Sequence, residues 1–348
     1  MFNAQTRAFP CACRRRGVAR QCSMNRLRRL LIIGILTFIL VSACRGNAPQ
    51  QINSQTNSTS AEAVRVVEHA LGKTKVPINP QRVVVLGGGL DTLLSLGVKP
   101  VGSVRFLPDN YYLKNRLEGI ESVGDPDRPD LESIVALKPD LILGADFDDQ
   151  SNYELLSQIA PTVIAELENT YNWRKMLSQY AEALGKTEKA KQIIADYNTR
   201  IKEFQAQMGN RLQETEVSIV RVRQDRIEIY LEDSFCGAVV ADAGLSRPLD
   251  QTNVENPFSI TISKELLQIA DADAIFVWTF GHSEEIAKEA QSKLKQLKAD
   301  PLWSQLSAVE QGKVYEVPSY WINMGPIAAN LVLDDLFEYL VPLRESSR

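Results

Sequence analysis

The stretch T-E-K-A-K-Q-I-I-A-D-Y-N-T-R-I-K-E-F-Q-A-Q-M, residues 187–208, decides the fold. Ala190, Ile194, Tyr197, Ile201, Phe204 and Met208 recur at alternating spacings of four and three, which makes one apolar stripe along an α-helix. Thr187 stands where an N-cap is expected, and no Pro or Gly interrupts the run before Gly209. At 1.5 Å per residue the pattern predicts a helix about 35 Å long. Before and after it, short apolar runs alternate with amphipathic stretches, the pattern of an α/β protein. One long helix therefore stands between two α/β halves.

Upstream, residues 82–86 read as a buried strand ending in Gly87-Gly88-Gly89, and 90–96 as a helix closed by Gly97. Strand 100–104, helix 131–137, strand 141–143, helix 153–159 and strand 162–164 follow, with Pro139 and Pro161 as stops. These make a first lobe of about residues 64–170. Trp173, Met176, Leu177, Tyr180 and Leu184 then form the stripe of another helix, closed by Gly185. Downstream of the linker helix (187–211), a hairpin of 217–222 and 226–231 turns at Gln224-Asp225. Helices 237–243 and 263–269, strand 274–278, helix 283–297, strand 314–317 and helix 326–340 complete a second lobe of about 214–345. The expected architecture is two three-layer α/β lobes joined by a single long α-helix. The ligand cleft of such a protein lies between the lobes, at the C-terminal ends of strands.

The N-terminal region carries a different message. Arg26, Arg28 and Arg29 precede an apolar run from Leu30 to Val41, then Ser42, Ala43 and Cys44. That order of basic, apolar and small-residue zones is a secretory signal. Its apolar run of about 12 residues is too short for the roughly 20 that span a bilayer. Val41-Ser42-Ala43-Cys44 resembles the lipobox of bacterial lipoproteins, so cleavage before Cys44 and acylation of its thiol are expected. Residues 1–43 thus read as the signal region, with translation expected to begin at Met24, and the polar residues 44–62 as a flexible tether. Residues 1–43 hold eight arginines and no acid or lysine, so of 39 basic and 43 acidic residues the mature part keeps 31 and 43, a net of −12. An acidic body speaks against nucleic-acid binding and against wide adhesion to anionic lipid. Of the five cysteines only Cys236 lies in the mature globular part, where it reads as a packed residue.

R-V-V-V-L-G (82–87), L-D-T-L-L-S-L-G-V-K-P-V-G (90–102), D-L-E-S-I-V-A-L-K-P-D-L-I-L-G (130–144) and W-S-Q-L-S-A-V-E-Q-G-K-V-Y-E-V (303–317) occur in this order. They resemble the iron-siderophore/cobalamin class of periplasmic binding proteins, which serve ABC importers. D-S-F-C-G-A-V-V-A-D-A-G-L-S-R-P (233–248) is similar to the ferric-siderophore branch. The resemblance implies a monomeric receptor that delivers a ferric siderophore to an ABC permease dimer with its ATPase. It implies no resident cofactor, the iron arriving already chelated. It also implies one permease-docking glutamate on each lobe, and Glu132 and Glu265 fall in the matching phrases. Cobalamin and haem are the alternative ligands within the class; an exported enzyme or a sensor lipoprotein are the alternatives outside it.

A bulky anionic chelate calls for arginines and aromatic faces. At strand ends the sequence offers Arg105, with Tyr111 close behind, then Arg221 and Arg223 two apart on one strand and hence on one face. Trp278 ends a strand and is either core packing or a ligand face. Tyr320 and Trp321 follow the strand 314–317, beside Gly325-Pro326. Only His69 and His282 exist, one in each lobe, with no metal-ligand spacing. Gly87-Gly88-Gly89 does not match a nucleotide loop, and no nucleophile–base set is present.

Overall fold

Val83, Val84 and Val85 are buried on both faces, as a strand inside an all-parallel sheet must be. The computed structural model describes residues 63–104, 110–126, 128–167, 172–252, 254–281 and 283–341, without the side chains of 110 and 111. The first lobe runs β1 (Val64–His69), β2 (Gly72–Pro77), β3 (Val83–Val85), α1 (Leu90–Ser95), β4 (Gly102–Ser103), β5 (Glu121–Ser122), β6 (Gly124–Asp125) and β7 (Arg128–Pro129). It continues through α2 (Leu131–Leu137), β8 (Leu141–Ala145), α3 (Asp146–Asp149), α4 (Tyr153–Ile159), β9 (Thr162–Ala165) and α5 (Trp173–Leu184). The central sheet has the order β5-β4-β3-β8-β9, all parallel. Alternate residues of β3 feed two cores. Val83 and Val85 pack with Leu93 and Tyr180, whereas Val84 packs with Ile134 and Leu156.

The long helix α6 (Thr187–Met208) starts two residues after Gly185, which ends α5 in a left-handed cap at φ +67°. Lys186, not Thr187, holds the N-cap position, and no side chain caps the helix. At 22 residues α6 is about 33 Å long. Beyond it come β10 (Val217–Val222), β11 (Ile227–Tyr230), α7 (Phe235–Asp242), β12 (Ser259–Ile262), β13 (Ala274–Thr279), α8 (Glu284–Lys298), α9 (Pro301–Ser304), α10 (Ser307–Glu310), β14 (Val314–Glu316) and α11 (Pro326–Leu340). The second sheet has the order β12-β11-β10-β13-β14. β10, β13 and β14 run parallel, while β11 and β12 are antiparallel additions. In place of the α-helix expected at 263–269, Lys264–Ala270 form a 3₁₀ segment in which Leu266 departs from helical backbone angles.

α6 is more than a strut. Tyr197 meets Trp173 of α5 edge to ring at 5.1 Å, and Phe204 meets Phe337 of α11 at 5.2 Å. One apolar core runs from β3 and α1, past α5 and α6, to Phe276 and α11. The lobes therefore share packing as well as a connection. Asp91 of α1 completes the joint: its two carboxylate oxygens accept the Ile327 and Ala328 N–H groups of α11, each at 2.9 Å. Asp91→Ala would strand both donors in a buried place, so denaturant titration should show a loss of roughly 1–3 kcal/mol. An unchanged midpoint would contradict this role.

Asp149 supplies a pH test of the first lobe. Its Oδ2 accepts the Ala145 N–H at 2.9 Å, while its Oδ1 has no hydrogen-bond partner among the described residues. Burial, with Asp148 adding repulsion, pushes its carboxyl up to about 7. The unfolded value is about 3.9. Folding therefore takes up a proton between these limits, and stability from this group is full below pH 4 and is lost as pH rises through about 7. Asp149→Asn keeps the acceptor and removes the charge. It should match the parent near pH 4 and be more stable by roughly 1–3 kcal/mol at pH 8. Equal melting temperatures at both pH values would refute the assignment.

Candidate functional site

Where β3 ends, Gly87 and Gly88 take left-handed φ angles of +47° and +73°. A Cβ on Gly87 would stand 2.5 Å from Asp149 Oδ2, so this turn accepts no side chain. The turn leads into α1 and brings Asp91 under the N-terminus of α11. A Cβ on Gly325 would lie 2.3 Å from Asp91 Cγ, which is why a glycine precedes Pro326. Burial pushes the Asp91 carboxyl up to about 6, although two backbone N–H groups, the Tyr112 hydroxyl at 3.2 Å and the charge of Arg116 all pull it down. Tyr112 also meets Tyr320 of the other lobe edge to ring at 6.0 Å. Tyr320 donates its hydroxyl to both Asp335 oxygens at 2.8 Å, and Trp321 donates its indole N–H to Asp335 Oδ2 at 2.7 Å. Burial raises the Asp335 carboxyl above the usual range. These residues floor the junction between the lobes.

The wall on the second lobe is built on one face of its sheet. Arg221 lies opposite Trp278 in the parallel pairing and opposite Glu228 in the hairpin. Period-two alternation puts Glu228 and Tyr230 on the same face as Arg221, and Trp278 and Phe280 beside them. The Arg221 guanidinium stacks over Trp278 at 4.9 Å and Phe280 at 5.4 Å, and its Nη1 donates to the Tyr230 hydroxyl at 2.7 Å. Glu228 Oε2 stands 3.9 Å from Arg221 and 3.7 Å from Arg223. Its Oε1 accepts from Arg226 Nε at 2.8 Å. Three guanidinium groups thus share one buried carboxylate. Arg221 Nε and Arg223 Nε have no hydrogen-bond partner among the described residues. A recess of about 490 Å³ lies between Trp278, Phe280 and α8, lined also by Glu284, Lys288, Gln291, Glu316 and Ser319 and by none of the three arginines.

The structure brings Arg221 and Arg223 together, Arg221 nearly buried and Arg223 with 29% of its side chain exposed. Trp278 is a buried platform beneath Arg221, and Tyr320 is part of the floor. Trp321 corrects an expectation: it is wholly buried and stacked on Phe276 at 4.7 Å, so neither ring face is open to a ligand. The reason is Asp335, which faces it from α11 and holds the indole N–H inward. Glu132 and Glu265 are exposed, each at the start of a helical segment. Arg105, the side chain of Tyr111, and Cys44 lie outside the described residues. The reading of the sequence passed over Glu228 and Tyr230, although the alternation I-E-I-Y puts both on the arginine face. It also passed over Asp91, which carries no local signal, since its partners lie 236 and 237 residues away.

Comparison with known proteins agrees with this layout. The family model for periplasmic binding proteins matches residues 83–321. The probable siderophore-binding lipoprotein YfiY of Bacillus subtilis is 36% identical over 90% of this chain and 97% of its own length. The achromobactin-binding periplasmic protein of Dickeya dadantii is 33% identical over 74% of this chain and 85% of its own. The crystal structure of Staphylococcus aureus SirA complexed with staphyloferrin B superposes with a TM-score of 0.72 at 30% identity, covering 79% of this chain and 98% of that one. With two α/β lobes on one long helix, and relatives matched over nearly their whole length, this chain belongs to the periplasmic binding protein family.

Proposed function

We propose that this protein captures a ferric siderophore and hands it to the permease of an ABC importer for iron uptake. The observation that carries the reading is the group Arg221, Arg223 and Arg226 gathered around Glu228 at the strand ends of the second lobe. The partly exposed Arg223, next to an Arg221 stacked on Trp278 and Phe280, suits an anionic chelate with apolar faces. A relative named for siderophore binding, 36% identical, supports the same ligand class. Arg105 and Tyr111 are proposed as contacts from the first lobe, and Tyr320 as part of the floor beneath the ligand. The iron enters already held by its chelator, and the work of the protein is binding and delivery. Glu132 and Glu265 are proposed as the points at which the two lobes meet the permease dimer. A lipid on Cys44 is proposed to keep the receptor at the membrane; the relative from Bacillus subtilis is named a lipoprotein.

Two measurements test this. Fluorescence of the four tryptophans should be quenched by a ferric siderophore in a panel that includes haem and cobalamin. Quenching by cobalamin or haem alone would overturn the ligand class. Arg223→Ala should weaken an anionic ferric chelate by well over tenfold, at roughly 1.5–3 kcal/mol for a hydrogen bond to a charged group. Cys44→Ser should leave that affinity intact while moving the protein from the membrane to the soluble fraction. A variant still recovered with membranes would refute the anchor.

A further inference from the structure

The arginine cluster holds an anion of its own. Glu228 is only 7% exposed, and its side chain divides between two sides. Oε1 is fixed by a hydrogen bond from Arg226. Oε2 accepts no hydrogen bond among the described residues, yet it lies within ion-pair distance of both Arg221 and Arg223. Asp225 adds a second carboxylate at the rim, paired with Arg226 at 2.8 Å and with Arg223 at 3.9 Å. Three cations against two carboxylates leave this corner with a small positive excess.

We propose that Glu228 is the residue that determines specificity for ligand charge. It stands in for a ligand carboxylate or phenolate in the empty protein and sets how much negative charge a chelate must bring. The proposal rests on the reading of Arg221 and Arg223 as ligand contacts. Its physical basis is that a carboxylate sharing a poorly hydrated place with three guanidinium groups is their strongest competitor for any incoming anion. Arg226 restrains that competitor, because it takes one of the two oxygens and turns the carboxylate partly away from the other arginines. Trp278 and Phe280 hold Arg221 in place while the pairing changes, so the guanidinium keeps its position whichever anion it faces.

The test compares a polyanionic ferric carboxylate or catecholate chelate with an uncharged ferric hydroxamate chelate, by fluorescence titration and thermal melting. Glu228→Gln keeps an oxygen for Arg226 and removes the charge. It should raise the affinity ratio of polyanion to uncharged chelate roughly tenfold or more. It should also lower the melting temperature of the empty protein and enlarge the shift caused by the polyanion. Arg226→Gln should act in the opposite direction, because it releases the whole carboxylate to Arg221 and Arg223. Should Glu228→Gln fail to fold, the Arg226 variant alone carries the test. An unchanged or reduced ratio in Glu228→Gln, or a raised one in Arg226→Gln, overturns the proposal. If Arg223→Ala alters no chelate's affinity, the reading of the arginines as contacts falls and takes the proposal with it. If Arg223→Ala weakens the polyanion while Glu228→Gln leaves the ratio alone, only the role of Glu228 is lost.

Discussion

The carboxylate of Asp91 belongs by sequence to one lobe and by hydrogen bonding to a helix of the other. It satisfies two of the N–H groups that every helix leaves unpaired at its start, and it places a negative charge at the positive end of the α11 dipole. Burial makes that charge costly, as its raised carboxyl value records. The arrangement holds because the approach is close on both sides: Gly325 leaves room for the carboxylate, and the glycine turn after β3 delivers α1 to the spot. Tyr112 donates to it and meets Tyr320, which Asp335 holds in turn, so the bridge is linked to the floor of the junction.

A joint of this kind limits how the lobes can move. Hinged receptors close on a ligand when their lobes meet only through flexible strands. Here α6 packs against α5 along one part and α11 along another, and a continuous apolar core passes between the sheets. Wide opening would expose that core and break the helix cap together. On the proposed reading, recognition is then built into fixed positions: a preorganised charge cluster on one side and aromatic faces that hold it still. The buried pairing of Arg221 with Glu228 fits this demand. Buried ion pairs contribute little net stability, so what this one supplies is the position of its groups.

Much of the fold was legible because its signals are local. Helices 153–159 and 326–340 and the stripe of α6 are written in spacing and in Pro or Gly stops, and each appears where the pattern puts it. The β1–β2 hairpin was passed over because Arg65, Glu68, Lys73 and Lys75 hide an alternation in which only Val67, Val76 and His69 are buried. Residues 264–270 carry a helical composition, yet the local backbone winds tighter and breaks at Leu266. The site was legible in part. Arg221 and Arg223 could be found because two arginines in an apolar strand are costly unless something faces them. Trp321 could not be placed, because what decides its burial is Asp335 on the next element, and no spacing rule connects the two.

That contrast separates two kinds of functional residue. A charge that sits alone in an apolar run advertises itself, since its burial demands a partner. A residue that supplies the partner is silent, because at its own position it breaks no rule. Glu228 alternates properly in its strand, Asp91 sits acceptably in a first helical turn, and Asp335 stands between Asp334 and the other polar positions of an amphipathic helix. Each is buried, and each faces a group from another element: three guanidinium groups, a helix end, and a tyrosine with a tryptophan. The acidic excess that the composition displays at the surface is accompanied by carboxylates inside, and these interior ones fix where the arginines and aromatics of the junction stand. On the proposed reading, a receptor for an anionic chelate holds its cationic site in order with buried anions of its own, and the balance between the two kinds of charge is what the ligand shifts.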